Sequence, residues 1–168
     1  ALPGSIEPGQ LFDRVMVDVP CSGLGALRRR PEARWRKSPR DIAELLPLQR
    51  QLLDAAIEAT RPGGLIAYVT CSPHAAETQN IVAEVLESGA VSLLDSAAAL
   101  REVALHTEGA NGEPVSVLAG EKDPGHTPEI KVKKGAPVVK ASENPTTAQL
   151  WPHVHGTDAM FLALLRKN

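Results

Sequence analysis

The sequence predicts an α/β fold, the C-terminal half of a doubly wound, Rossmann-like sheet truncated on its N-terminal side. Three observations predict it. Two apolar, β-branched runs, Val15-Met16-Val17-Asp18-Val19 and Leu65-Ile66-Ala67-Tyr68-Val69, read as buried parallel strands. Segments of helical periodicity lie between and after them, giving the strand–helix–strand–helix–strand order of such sheets. Each run ends in a cysteine dipeptide, Pro20-Cys21 and Thr70-Cys71, and these are the only 2 cysteines of the chain. If the strands are neighbours, both thiols sit at the C-terminal sheet edge where ligands bind. Cysteines at such an edge suggest covalent chemistry; the alternative is a pair of buried structural thiols.

The elements follow in order. Phe12 to Val19 is the first strand, with Asp18 near its exit. Cys21-Ser22-Gly23-Leu24-Gly25 is a loop whose two glycines permit unusual backbone angles. A basic stretch comes next: Arg28, Arg29, Arg30, Arg34, Arg36, Lys37 and Arg40, interrupted by Pro31 and Trp35. Ser38-Pro39-Arg40-Asp41 is a helix start, with a capping serine, a proline suited to the first position and an acid at the positive dipole end. Leu45, Leu46, Gln49, Leu52, Leu53, Ala56 and Ile57 share one helical face, and Pro47 is expected to split the helix. Arg61-Pro62-Gly63-Gly64 stops it and turns into the second strand. A second helix is expected from about Pro73 to Glu87, with Ile81, Val82, Val85 and Leu86 inward, and a short strand from Val91 to Leu94. Residues 97–150 are rich in Gly, Pro, Lys and Glu and read as an irregular insertion. Ala159 to Leu165 is a last buried strand.

Composition narrows the function classes. Apolar residues at 43% and charged residues at 23% fit a soluble globular domain. No apolar run approaches the roughly 20 residues that span a bilayer. Ala1-Leu2-Pro3-Gly4-Ser5 lacks the basic flank and apolar core of a signal peptide, so a cytoplasmic location is expected and no membrane partner. Residues 1–168 read as one partial domain, cut from something longer, since the chain opens without Met and enters a strand almost at once. A net charge of −2 excludes a polycation, so any nucleic-acid contact is local to the arginine stretch. No metal is expected. The cysteines lack CxxC pairing, and His153-Val154-His155 reads more simply as loop histidines.

Taken together, the motifs resemble a family. Asp18-Val19-Pro20-Cys21-Ser22-Gly23-Leu24-Gly25 is similar to the D-A-P-C-S-G-x-G signature of the Sun/RsmB-type (NOL/NOP/Sun) RNA cytosine-C5 methyltransferases. Arg28-Arg29-Arg30-Pro31-Glu32, Trp35 and Leu48-Gln49 through Leu53 resemble that family's R-R-x-P-D/E, W and L-Q segments. Pro62-Gly63-Gly64 with Tyr68-Val69-Thr70-Cys71-Ser72 resembles its P-G-G and Y-x-T-C-S segments. Pro152, His155-Gly156-Thr157-Asp158 and Phe161 resemble its closing P-x-x-H-G-T-D-G-F-F.

The resemblance implies a Rossmann-like methyltransferase fold, S-adenosylmethionine as cofactor, and RNA as partner, with small-subunit ribosomal RNA the substrate it points to. Cytosine C5 is a poor nucleophile, and a thiolate added at C6 makes it enamine-like. By the resemblance Cys71 is that nucleophile, and Cys21 assists release of the product. Asp18 hydrogen-bonds the target ring or the cofactor's amino group. Pro20, Arg28, Arg29, Arg30, Arg34, Arg36 and Lys37 line the RNA side. Cys71 then needs a lowered pKa, which a helix N-terminus just after it would supply. Ala159, Met160 and Val19 depart from the family pattern. So does the absence of a glycine-rich strand–loop–helix with a following acid for the cofactor. The chain is therefore expected to hold the catalytic half, to need an upstream cofactor half, and to be inactive alone.

Competing readings stay open. A DNA cytosine-C5 methyltransferase would make Cys21 the attacking thiol. A non-catalytic RNA-binding module would use only the arginine face, and a degenerate subunit would complete its sheet with a partner. Trp35 either stacks a base or staples its loop to the domain. His74 is either a base for Cys71 or a surface residue of the first turn. Ser22 and Ser72 are read as holding loop backbone.

Overall fold

The computed structural model describes residues 9–103 and 146–168. Within the 97–150 stretch the sequence also suggests short β-like runs, Val115-Ser116-Val117-Leu118 and Ile130-Lys131-Val132, and a weaker basic patch of Lys131, Lys133 and Lys134; all lie outside the described residues. Five strands form one sheet in the order β1-β2-β5-β3, with β4 also pairing β5. They are β1 (Phe12–Asp18), β2 (Thr60–Thr70), β3 (Val91–Leu93), β4 (Ala148–Gln149) and β5 (Phe161–Lys167). The helices are α1 (Pro39–Ala59), α2 (Gln79–Glu87), α3 (Ser96–Val103) and α4 (Pro152–His155). β1 and β2 are parallel, while β5 runs antiparallel to both β2 and β3 and lies between them. The sheet is thus mixed α/β.

α1 starts where its sequence says it should. The Asp41 carboxylate accepts from the Ser38 backbone N–H at 2.6 Å and from the Ser38 hydroxyl at 2.9 Å. Pro47 does not split the helix, contrary to expectation: α1 is continuous from Pro39 to Ala59. Pro47 removes one backbone hydrogen bond, but it and Ala43, whose carbonyl loses that donor, both face water. The buried stripe is Gln49, Leu53, Ala56 and Ile57.

β2 begins at Thr60, earlier than the Pro-Gly-Gly turn suggests. Phe12 pairs with Thr60 and Arg14 with Leu65, so Arg61 to Gly64 bulge from the ladder. Gly63 takes φ +76°, which favours glycine. The second helix is shorter than expected. A 3₁₀ turn covers Ala75–Glu77, Thr78 breaks the path with φ −124° and ψ −96°, and only then does α2 run. The expected irregular stretch 97–150 is ordered at both ends, as α3 and as β4.

α1 and α2 cover one sheet face. There Leu53, Ile57, Val82 and Val85 meet Ile66, Tyr68, Phe161 and Leu165 in the core. The Tyr68 and Phe161 rings stand edge to face, centroids 6.2 Å apart. On the other face Met16 stays 73% exposed.

Candidate active site

β1 and β2 end side by side. Asp18 is paired with Val69, and the Val19 N–H donates to the Val69 carbonyl at 3.1 Å. The two cysteine loops therefore leave the same sheet edge together. Cys21 Sγ and Cys71 Sγ lie 3.3 Å apart, both free thiols and both half-buried. Parallel pairing of neighbouring strands is what brings residues so distant in sequence into contact.

Glycine lets the loops close on one another. Gly25 N–H donates to the Cys71 carbonyl at 2.9 Å, and its own carbonyl accepts from Ala159 N–H at 2.9 Å. A Cβ on Gly25 would lie 2.0 Å from the Ala159 carbonyl oxygen and 2.7 Å from that of Cys71. Gly23 is the glycine with the unusual angle, φ +71°; Gly25 is needed for close approach.

Beneath the thiols lies a buried carboxylate that the motif reading did not single out. Glu77 is 0% exposed. Its Oε1 accepts from the Ser22 backbone N–H at 2.7 Å and from Gln49 Nε2 at 3.0 Å. Its Oε2 accepts from the Ser22 hydroxyl at 2.5 Å and the Ser72 hydroxyl at 2.6 Å. Gln49 Nε2 also donates to the Pro20 carbonyl at 2.9 Å. Burial pushes the Glu77 carboxyl upward, but the hydrogen bonds from Ser22, Ser72 and Gln49 outweigh it and hold the group below its ordinary value. One signal pointed to it: Glu77 precedes Ile81 by one helical turn, which puts an acid on the inward stripe of Ile81, Val82 and Val85. Ser72 holds loop backbone as expected, its hydroxyl accepting from the His74 N–H at 3.1 Å, whereas the Ser22 hydroxyl goes to the Glu77 carboxylate and the Ser72 hydroxyl instead of backbone.

The expected lowering of the Cys71 pKa is overturned. Burial first, then the hydrogen bond and charge of Cys21 and the charge of Asp18, push the thiol up to about 11. No helix N-terminus faces it at once, because the residues after Ser72 form a 3₁₀ turn beginning at Ala75. Asp18 stands exposed at the β1 exit, and Pro20 is exposed beside Cys21. His74 is exposed and spends Nδ1 on the Ala76 N–H at 3.3 Å, capping its own turn.

The arginine stretch divides in two. Arg28 Nε meets Asp158 Oδ1 at 3.0 Å, and Arg29 Nε meets Asp158 Oδ2 at 2.8 Å. Asp158 is 7% exposed, and the Arg29 hydrogen bond, despite partial desolvation and with help from Arg28, holds its carboxyl below the usual range. Arg28 and Arg29 thus anchor their loop to the segment before β5. Arg30, Arg34, Arg36 and Lys37 are exposed, without an ion-pair partner among the described residues. Trp35 is 85% exposed among them, so it does not staple the loop to the described residues. No group of His, Cys, Asp and Glu among the described residues could hold a metal ion. His155 Nδ1 accepts from the Trp151 N–H at 2.8 Å.

For an adenosylmethionine, the described residues supply a rim and no cradle. Asp18 and Pro20 border the thiols. Gly25 is sealed against backbone, and Gly63 and Gly64 line a cleft at the opposite end of β1 and β2.

Relatives bear on this geometry. A "Putative methyltransferase" of Mycobacterium tuberculosis is 48% identical over 162 residues, which is 96% of this chain and 27% of that protein. A "Ribosomal RNA small subunit methyltransferase B" of Salmonella heidelberg is 49% identical over 63 residues, 38% of this chain and 15% of that protein. The crystal structure of a "Methyltransferase Homolog Protein" from Pyrococcus horikoshii superposes with TM-score 0.59 at 25% identity, over 96% of this chain and 41% of that one. The structure of NSun6 from Pyrococcus horikoshii with SFG gives TM-score 0.61 at 23% identity, over 95% of this chain and 31% of that one, a likeness of fold. The chain thus spans about a quarter of the mycobacterial protein's length, 27%. The family model described as 16S rRNA methyltransferase RsmB/F matches residues 3–166, and the chain belongs to that family.

Proposed function

We propose that this chain is the catalytic part of an S-adenosylmethionine-dependent ribosomal RNA cytosine-C5 methyltransferase. The observation that carries the reading is the 3.3 Å approach of two free thiols at one sheet edge. Cys71 Sγ adds to C6 of the target cytosine, and the ring electrons this displaces make C5 a nucleophile. The adenosylmethionine supplies the methyl group and is held chiefly by parts of the whole protein beyond this chain. Cys21, at hydrogen-bond range of Cys71, assists loss of the C5 proton. Elimination then frees Cys71. Asp18 and Pro20 border the base, and Arg30, Arg34, Arg36 and Lys37 meet phosphates, with Trp35 offering a face for stacking. The family match and the small-subunit relatives support small-subunit RNA as substrate. A cytoplasmic site of action is part of the same proposal.

Substituting each cysteine separately in the full-length protein tests the roles. Cys71→Ala is expected to abolish both methyl transfer and the covalent RNA adduct. Cys21→Ala is expected to accumulate the adduct, seen as a band stable in denaturing gels. Adduct formation by Cys71→Ala but not by Cys21→Ala reverses the assignment and favours the DNA-type use of the Pro-Cys thiol.

A further inference from the structure

We propose that Glu77 is the positioning residue of the cysteine pair: its buried carboxylate draws the two cysteine loops together and sets the separation of the thiols. The proposal rests on the reading of Cys21 and Cys71 as the working pair. Its physical basis is independent of that reading.

Three of the four donors to Glu77 belong to residues that directly follow a cysteine. Ser22 contributes its backbone N–H and hydroxyl at 2.7 and 2.5 Å, and Ser72 its hydroxyl at 2.6 Å. The fourth donor, Gln49 Nε2, grips the Pro20 carbonyl as well, at 2.9 Å. One carboxylate therefore fixes the residues on both sides of Cys21 and the residue after Cys71. Of the neutral links between the loops, the Gly25 N–H to Cys71 carbonyl bond at 2.9 Å joins backbone, while the side-chain link is weak, since Ser22 Oγ and Ser72 Oγ are 3.4 Å apart. Hydrogen bonds to an ionised acceptor are shorter and about twice as strong as neutral ones. A residue needed only to fill space here would be apolar, because a buried charge is costly unless fully hydrogen-bonded. The chain is also diverted to deliver it. Glu77 lies in the 3₁₀ turn ahead of α2, and the following Thr78 departs from helical geometry.

The test reads the thiol separation directly, without methyl transfer. Diamide oxidises the full-length protein. Each thiol yields one electron and one proton to the diazene, which becomes a hydrazine while the Sγ–Sγ bond forms. Closure is followed by peptide mass mapping. Glu77→Gln removes the charge and turns an amide NH2 toward the serines. It is expected to slow closure about tenfold, to slow iodoacetamide labelling of either cysteine less than about twofold, and to lower kcat with little change in KM for RNA. Glu77→Asp is expected to recover part of the closure rate. If Glu77→Gln unfolds the protein, Ser72→Ala, which cuts only the Cys71 tether, carries the test with closure slowed about threefold. Unchanged closure in a folded variant overturns the proposal. Slowed closure together with methyl transfer that survives loss of both cysteines leaves the positioning intact and sinks the catalytic reading instead.

Discussion

At Cys71 the quantity that decides reactivity is one proton. Its thiol sits where burial, the neighbouring Cys21 and the Asp18 charge all disfavour a thiolate, and the pKa rises to about 11. The sign is clear. A raised thiol pKa keeps the neutral form through physiological pH, and nucleophilicity appears only as pH climbs. Alkylation of Cys71 by iodoacetamide, followed by peptide mass spectrometry, is therefore expected to accelerate about tenfold per pH unit between pH 8 and 10 and to level off only near 11. An ordinary thiol levels off near pH 9. Cys21→Ala, which removes the neighbouring thiol and its hydrogen bond, is expected to bring the midpoint down. A wild-type plateau at pH 9 contradicts the environment described. Under the proposed mechanism, Cys71 attacks from a thiolate that is the minor form at physiological pH.

Among elements, what makes the site is the suture of three loops, those after β1 and β2 and the one before β5. Gly25 is its knot, bonded to Cys71 on one side and to Ala159 on the other. Gly25→Ala drives a methyl group into two carbonyl oxygens that belong to backbone and have no rotamer to yield. The expected cost is about 1–3 kcal/mol, read as a lower urea midpoint at unchanged slope. A second effect separates this change from simple destabilisation: Cys21–Cys71 disulfide closure is expected to slow even where the variant is fully folded. A midpoint equal to that of the wild type refutes the close approach. Much of this level was legible beforehand. The strands announced themselves by β-branched runs, and each cysteine sits immediately past one, so their meeting followed from parallel pairing alone. Glu77 and Asp158 were not legible in the same way. Glu77 finds its Ser22 partner 55 positions away, and Asp158 finds Arg29 129 away, distances no local pattern encodes. Pro47 misled for a related reason: that the carbonyl it frees, on Ala43, faces water depends on how α1 lies on the sheet, which no local pattern states.

For the whole molecule, the strand order governs what remains exposed. The apolar run of β5 predicted a strand, but its insertion between β2 and β3, antiparallel to both, has no local signature; it comes from the chain returning at the cysteine edge. Strand register then sorts the two faces. Ile66, Tyr68, Phe161 and Leu165 point to α1 and α2 and are buried, while Met16, Ala67 and Leu164, in register across three strands, share the other face. Among the described residues β1 is an edge of the sheet, with Met16 73% exposed and Leu11 52% exposed. A doubly wound sheet carries helices on both faces, and the chain spans 27% of its mycobacterial relative. Prepared alone, this chain is expected to self-associate through that face and edge at micromolar concentrations, because no described residue covers Met16 or the free backbone edge of β1. Met16→Lys puts a charge on the face without touching α1, α2 or the cysteines. Withholding roughly half of a methionine's burial, about 1.4 kcal/mol, predicts about a tenfold weaker association. Sedimentation velocity over a concentration series measures it. A wild-type sedimentation coefficient that does not change with concentration contradicts the expectation, and equal association of the variant assigns it to the β1 backbone edge instead of the Met16 face.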